Sequence, residues 1–215
     1  MWSSLHTHWQ SCFEEAWESY CKGSFPIGAV ITDENGIIIS KGRNKVYENA
    51  GVGREIYANK IAHAEVNAIL KIDNRETNIN RKEYTLYSTM EPCPMCFGAA
   101  VMSGLRRVVY AAKDGMAGCT DLKDANPYLE SKAMVVTGPF KELEIVQIVL
   151  KTVFVLNRGH LVQELLESWR KDCPMGVEIG EKWFEDGVLE QVQLEQKGFG
   201  AIFNRILTEI HLTAS

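Results

Sequence analysis

Two short segments constrain this chain more than any other feature: His63-Ala64-Glu65 and Pro92-Cys93-Pro94-Met95-Cys96, separated by the strand-like run YTLYST (84–89). Each stands where a helix is expected to open. The first helix starts near His63 and places Val66, Ile69, Leu70 and Ile72 on its apolar side. The second starts at Pro94, because proline suits the first helical turn, and runs through Met102. Helix, strand and helix in that order do not suit an all-α or all-β architecture. Further strands are expected at RVVYAA (107–112) and AMVVTG (133–138), with a helix over 141–156. Upstream, Leu5, Trp9, Cys12, Phe13, Ala16, Trp17 and Tyr20 recur at helical spacing and end near Gly23. FPIGAVITDENGIIISKG then reads as a β-hairpin with Gly36 at its turn. The alternation of elements argues a three-layer α/β/α domain.

The domain is expected over residues 1–156. Residues 42–60 read as a long loop able to shape a pocket. From 157 to 215 the pattern turns polar and helical, with interruptions at Cys173-Pro174 and Gly176, and this stretch reads as a helical C-terminal extension packed on the core. The charge balance differs between the two parts. Residues 1–157 hold 17 basic and 18 acidic side chains, and residues 158–215 hold 6 and 10. Basic residues gather only in small clusters: Lys41-Arg43-Lys45, Arg81-Lys82 and Arg106-Arg107. That is not the footprint of a strong polyanion binder. No apolar stretch is long enough to span a bilayer, and the start lacks the charged head and apolar run of a secretory signal, so a cytoplasmic protein is expected.

Six cysteines are present and only Cys93 and Cys96 are close together. In a reduced compartment such a pair points to metal or catalysis rather than to a disulfide. Three residues apart at a helix start, both sulfurs reach one side. The partial positive charge of a helix N-terminus favours their thiolates. His63 adds an imidazole nitrogen. One nitrogen and two sulfurs are three ligands for tetrahedral zinc, which leaves a fourth place for water, as catalytic sites do. Glu65, two residues past His63, can take that water's proton.

HAE followed by PCPMC resembles the H-x-E…P-C-x-x-C signature of the cytidine-deaminase-like zinc deaminases. FPIGAV, Gly42-Arg43-Asn44, STMEPCPMC, RVVYAAKD and Ala117-Gly118 are similar to guanine deaminases and bacterial tRNA adenosine deaminases, over roughly residues 5–156. The resemblance implies a mixed central sheet and one Zn2+ per chain. His63, Cys93 and Cys96 would be its ligands and Glu65 the catalytic proton shuttle. It also implies that Asn44 addresses the base or its sugar, that Gly28 and Ala29 let the backbone approach the ring, and that Asp114 faces substrate. A homodimer is expected on the same ground.

The implied activity is hydrolytic replacement of an exocyclic amino group by oxygen, with release of ammonia, on a nucleobase, nucleoside or related amino-heterocycle. A tRNA-specific adenosine deaminase is the alternative substrate class. A non-catalytic zinc scaffold is the alternative of another kind; Cys119 or Cys21 as a fourth ligand would signal it. His6, His8, His160 and His211 are expected at the surface or in helix packing. Trp169, Trp183, Phe184, Phe199 and Phe203 are expected as packing contacts.

Overall fold

The computed structural model describes residues 1–73, 80–160 and 162–213. Nine helices are described: α1 (Thr7–Cys21), α2 (Ala64–Ile69), α3 (Pro94–Met102), α4 (Pro127–Glu130), α5 (Lys141–Arg158), α6 (Val162–Asp172), α7 (Pro174–Glu185), α8 (Val188–Leu194) and α9 (Phe199–Thr213). Five strands are described: β1 (Gly28–Thr32), β2 (Ile38–Arg43), β3 (Thr85–Met90), β4 (Arg107–Ala112) and β5 (Val135–Thr137). They form one sheet in the order β2-β1-β3-β4-β5. β1 is antiparallel to β2 and β3, while β3, β4 and β5 run parallel. The sheet is therefore mixed, as the family resemblance implied.

The β1–β2 hairpin turns as the sequence predicts. Gly36 adopts φ +79°, which glycine takes without a Cβ penalty. The Asp33 carboxylate accepts the N–H groups of Asn35 and Ile37 at 2.9 and 2.8 Å and fixes the turn. Strand alternation then sorts side chains to two faces. Ala29, Ile31, Leu86 and Val108 pack with α2 and α3 on one side. Val30, Tyr87 and Val109 pack with α1 and α5 on the other.

Several local expectations are corrected. Leu5 precedes α1 rather than belonging to it. Gly42 and Arg43 belong to β2, not to the loop. A Cβ on Gly42 would lie 2.3 Å from Ala64 O and Ala68 N, so the glycine lets α2 seat on the strand. The face of α2 against the sheet is accordingly made of small and polar residues: Ala64, Glu65, Asn67 and Ala68 are buried, while Leu70 is exposed. Gly176 does not interrupt a helix but lies inside α7. It and Gly180 face α5 one turn apart, and their missing side chains allow close contact with Ile148 and Thr152. Leu161, within the helical run anticipated after His160, lies outside the described residues.

Helices α6 to α9 share one apolar cluster with α1 and α5. Trp169 and Trp183 are buried there. Phe199 stacks on Phe13 at 5.4 Å, and Trp2 N–H donates to Asn204 Oδ1 at 2.8 Å, tying the N-terminal residues to α9. Phe184 is exposed, unlike the other aromatics expected to pack. Among the described residues no helix is long and apolar enough to cross a membrane.

Gly180 generates a sign reversal. In an exposed helix, Gly→Ala gains about 1 kcal/mol of helix propensity. Here the added Cβ would lie 2.5 Å from Thr152 Cβ. Gly180→Ala is expected to destabilise by about 1–3 kcal/mol, the usual range for overpacking. Urea unfolding checks this, and a raised midpoint would contradict the packing described.

Candidate metal centre and active-site cavity

The carboxyl ends of β3 and β4 are where open sheets with parallel strands commonly place their sites. β3 ends at Met90, and Cys93 follows as the N-cap of α3 with φ −70° and ψ 170°. His63 is the N-cap of α2 with φ −79° and ψ 154°. Both residues thus leave an extended backbone just as a helix begins, and their side chains meet over the sheet end. His63 Nδ1 lies 3.6 Å from Cys93 Sγ and 3.4 Å from Cys96 Sγ. The three donor atoms lie within 4.8 Å of one another. Among the described residues no fourth such ligand joins them. Cys119 donates its thiol to the Pro92 carbonyl at 3.5 Å, and Cys21 is exposed on α1.

The donor set of the cluster, one imidazole and two sulfurs, fits a cation. The close approach of Cys96 and the contact with His63 hold the Cys93 thiol down to about 4, which favours its thiolate. Its partner Cys96 is pushed far up by that same approach, by burial and by the charge of Glu65. Burial disfavours a charged His63, but the contact with Cys93 and the charge of Glu65 outweigh it and raise its pKa. Borderline-soft nitrogen and sulfur donors, three in number, suit zinc with one position left open.

Glu65 is 3% exposed. Ser88 Oγ donates to its Oε1 at 3.0 Å and Cys96 Sγ to its Oε2 at 3.3 Å. Burial raises its pKa, which favours a carboxylate that takes up a proton. A cavity of about 360 Å³ opens in front of Glu65, His63 and Cys93. Asn44 and Asp114 line it as well. Asn44 Oδ1 is spent on Val46 N–H at 3.1 Å, and its amide N–H2 donates no hydrogen bond among the described residues. Asp114 Oδ1 accepts the N–H groups of Met116 and Ala117, both at 3.1 Å. It is therefore a turn residue and a cavity residue at once.

Gly28 and Ala29 do not line the cavity. A Cβ on Gly28 would lie 2.0 Å from Cys12 O and 2.6 Å from Ala16 N, so this glycine admits α1 to the sheet. Ala29 is buried against α2 and α3.

Other residues that line or brace the cavity escaped the sequence analysis. Glu91 accepts Thr120 N–H at 3.1 Å, the Thr120 hydroxyl, and Asp114 N–H at 3.2 Å, which ties the 114–120 loop to the end of β3. Its signal was its place inside STMEPCPMC. Asn67 on α2 performs the same service for the loop after β2: its Oδ1 accepts Ile56 N–H, and its amide donates to Arg43 O and Ile56 O. Lys151, Phe154, Val155 and Arg158 on α5 also reach the cavity, together with exposed His160. Their signal was a lysine set in the otherwise apolar stretch IVLKTVFV.

The fold and the donor set define a zinc-binding α/β domain. The chain belongs to the cytidine and deoxycytidylate deaminase zinc-binding family, whose model matches residues 3–112. It is 38% identical over 111 residues to the tRNA-specific adenosine deaminase of Bacillus subtilis (strain 168), a match that takes in 52% of this chain and 63% of that protein. It is 34% identical over 113 residues to the tRNA-specific adenosine deaminase of Rickettsia bellii (strain RML369-C), covering 52% and 72%. The chain thus spans less than two thirds of the Bacillus protein it matches. Two solved structures share the fold. One, from studies of A-to-I editing by tRNA:A34 deaminases, has a TM-score of 0.50 at 24% identity and covers 61% of this chain and 96% of that chain. The other, NE0047 in complex with 2,6-diaminopurine, has a TM-score of 0.52 at 23% identity and covers 71% and 82%.

His63→Ala and Cys96→Ala are each expected to lose stoichiometric zinc, since two donors do not hold the ion as three do. Metal analysis of the purified variants checks this. Zinc content equal to wild type in both would remove these residues from the ligand set.

Proposed function

We propose that the chain is a hydrolytic deaminase acting on a small amino-heterocycle: a free base, a nucleoside or a related ring. The observation that carries this is the buried carboxylate of Glu65, hydrogen-bonded to Cys96 of the donor cluster and lining the cavity. His63, Cys93 and Cys96 would hold zinc, which would supply Lewis-acid activation of water there. Glu65 takes the proton of the attacking water and delivers it to a ring nitrogen. It then carries the second proton to the departing amine. The ring carbon exchanges nitrogen for oxygen, and ammonia leaves. Ser88 holds Glu65 through Oε1, so Oε2 is the oxygen turned to the donor cluster. Asn44 offers its amide N–H2 to an acceptor on the ring or sugar. Asp114 stands as a second substrate contact.

Paired cations favour a small substrate. Arg43 pairs with Glu48, Lys45 with Glu55 and Arg107 with Glu83. Cations committed to internal carboxylates make poor phosphate contacts. One observation favours a second reading, adenosine deamination in tRNA: both relatives named above carry that activity in their names.

Ammonia release across purines, pyrimidines, their nucleosides and a tRNA anticodon stem-loop separates the two. Small-molecule turnover supports the first, and turnover of the stem-loop alone supports the second. Glu65→Gln is expected to keep zinc and to lose ~10²–10⁴-fold in kcat, the usual contribution of a positioned acid–base group. Wild-type turnover in that variant would remove Glu65 from the proton path. The family resemblance also carries the expectation of a homodimer, and light scattering at micromolar concentration checks it; a monomer there would count against it.

A further inference from the structure

The cavity has a wall that lies outside the matched residues 3–112. Lys151, Phe154, Val155 and Arg158 follow one another at i, i+3, i+4 and i+7, so one face of α5 looks onto the cavity. Two cations stand on that face, about 10 Å apart along the helix axis. Lys151 is 6% exposed. Its ammonium lies 4.9 Å from the Phe25 ring centroid and 5.0 Å from that of Trp169, a partly aromatic cage. No carboxylate pairs with it and no acceptor bonds it among the described residues. Arg158 is exposed, stacked at 3.6 Å on the ring of Tyr47, and likewise has no carboxylate partner among the described residues.

A buried ammonium without a counter-charge is unfavourable, and burial lowers the Lys151 pKa accordingly; an anion beside it would favour the charged form again. Asp114 and Glu65 act on Lys151 from a distance only. Asp114 is partly spent on its own turn, and Glu65 is bonded to Ser88 and Cys96. The cavity is the side from which an anionic partner can reach Lys151. We propose that Lys151, with Arg158 nearer the exposed end of the same face, forms an anion subsite that selects amino-heterocycles bearing a phosphate or carboxylate group. This rests on the deaminase assignment above and names its substrate class. The acidic charge balance of residues 158–215 and the burial of Lys151 favour a small anionic molecule over a polymer, because a polyanion needs a row of exposed cations.

Matched pairs test the proposal on the zinc-loaded full chain. Cytosine against 5-carboxycytosine probes a carboxylate. Cytidine against CMP, adenosine against AMP and guanosine against GMP probe a phosphate. In at least one pair the anionic member is expected to show a kcat/KM ten-fold or more above its neutral partner, mainly through KM. The pair that shows it identifies the anion. Lys151→Met, close to the native shape, is expected to bring that ratio towards one, and Lys151→Arg to restore part of it. A wild-type preference for the neutral member in every pair would overturn the proposal whether or not the variants fold. So would a ratio unchanged in Lys151→Met, or turnover confined to a tRNA stem-loop. Calorimetric binding of the same pairs separates this subsite from the chemistry. Preferential binding of an anionic member without ammonia release supports the subsite and counts against the deaminase assignment. Ammonia release with equal binding of both members does the reverse.

Discussion

Two helix N-termini meet at one end of the sheet, and the site depends on that meeting. α2 and α3 begin beside each other because β3 runs between them in sequence and its end leads directly into Cys93. At a helix start the first backbone N–H groups are unpaired and the partial charge is positive. That environment favours the Cys93 thiolate and brings His63 within 3.4 Å of Cys96. The approach needs room. Gly42 supplies it for α2, and Gly28 for α1 on the opposite face, each by lacking a Cβ that would strike helix backbone. The glycines are thus part of the site's construction although neither lines the cavity.

The floor of the cavity and its walls come from different parts of the chain. The floor is the donor cluster and Glu65, set on the sheet end. One wall is the loop after β2, fastened by Asn67 and by the Arg43–Glu48 and Lys45–Glu55 pairs. Another is the 114–120 loop, fastened by Glu91, whose carboxylate would collide with any Cβ on Gly118. The last is α5, held in place by α7 through Gly176 and Gly180. Packing in the C-terminal helices therefore reaches the cavity: a shift of α7 moves the helix that carries Lys151 and Arg158. Fold and chemistry are coupled through contact rather than through any shared residue.

Legibility in the sequence followed the range of the signal. His63, Glu65, Cys93 and Cys96 could be read because each sits beside a helix start, and their spacing already places two sulfurs on one side. The hairpin at Gly36 and the helix from Pro94 to Met102 were legible for the same reason, since backbone preference there is set by the residues themselves. The apolar side of α2 was read only in part: Ile69 and Ile72 pack partly buried against the core, but Leu70 is exposed, and the close contact with the sheet is made by Ala64 and Ala68. Gly176 was misread as an interruption, because its use is to receive Ile148 from another helix.

The sequence by itself determined the class of architecture, the donor set and the carboxylate beside it, because periodicity, capping and short spacings are local physics. Only the tertiary structure decided which residues share the cavity. Lys151 is 86 residues beyond Glu65 in the chain, and nothing within a few residues of either shows that they face one space. The same holds for Glu91 bracing Thr120 and for Gly28 serving α1. Through-space proximity is fixed by how helices seat on the sheet, and seating depends on the summed shape of many side chains, which no local pattern encodes.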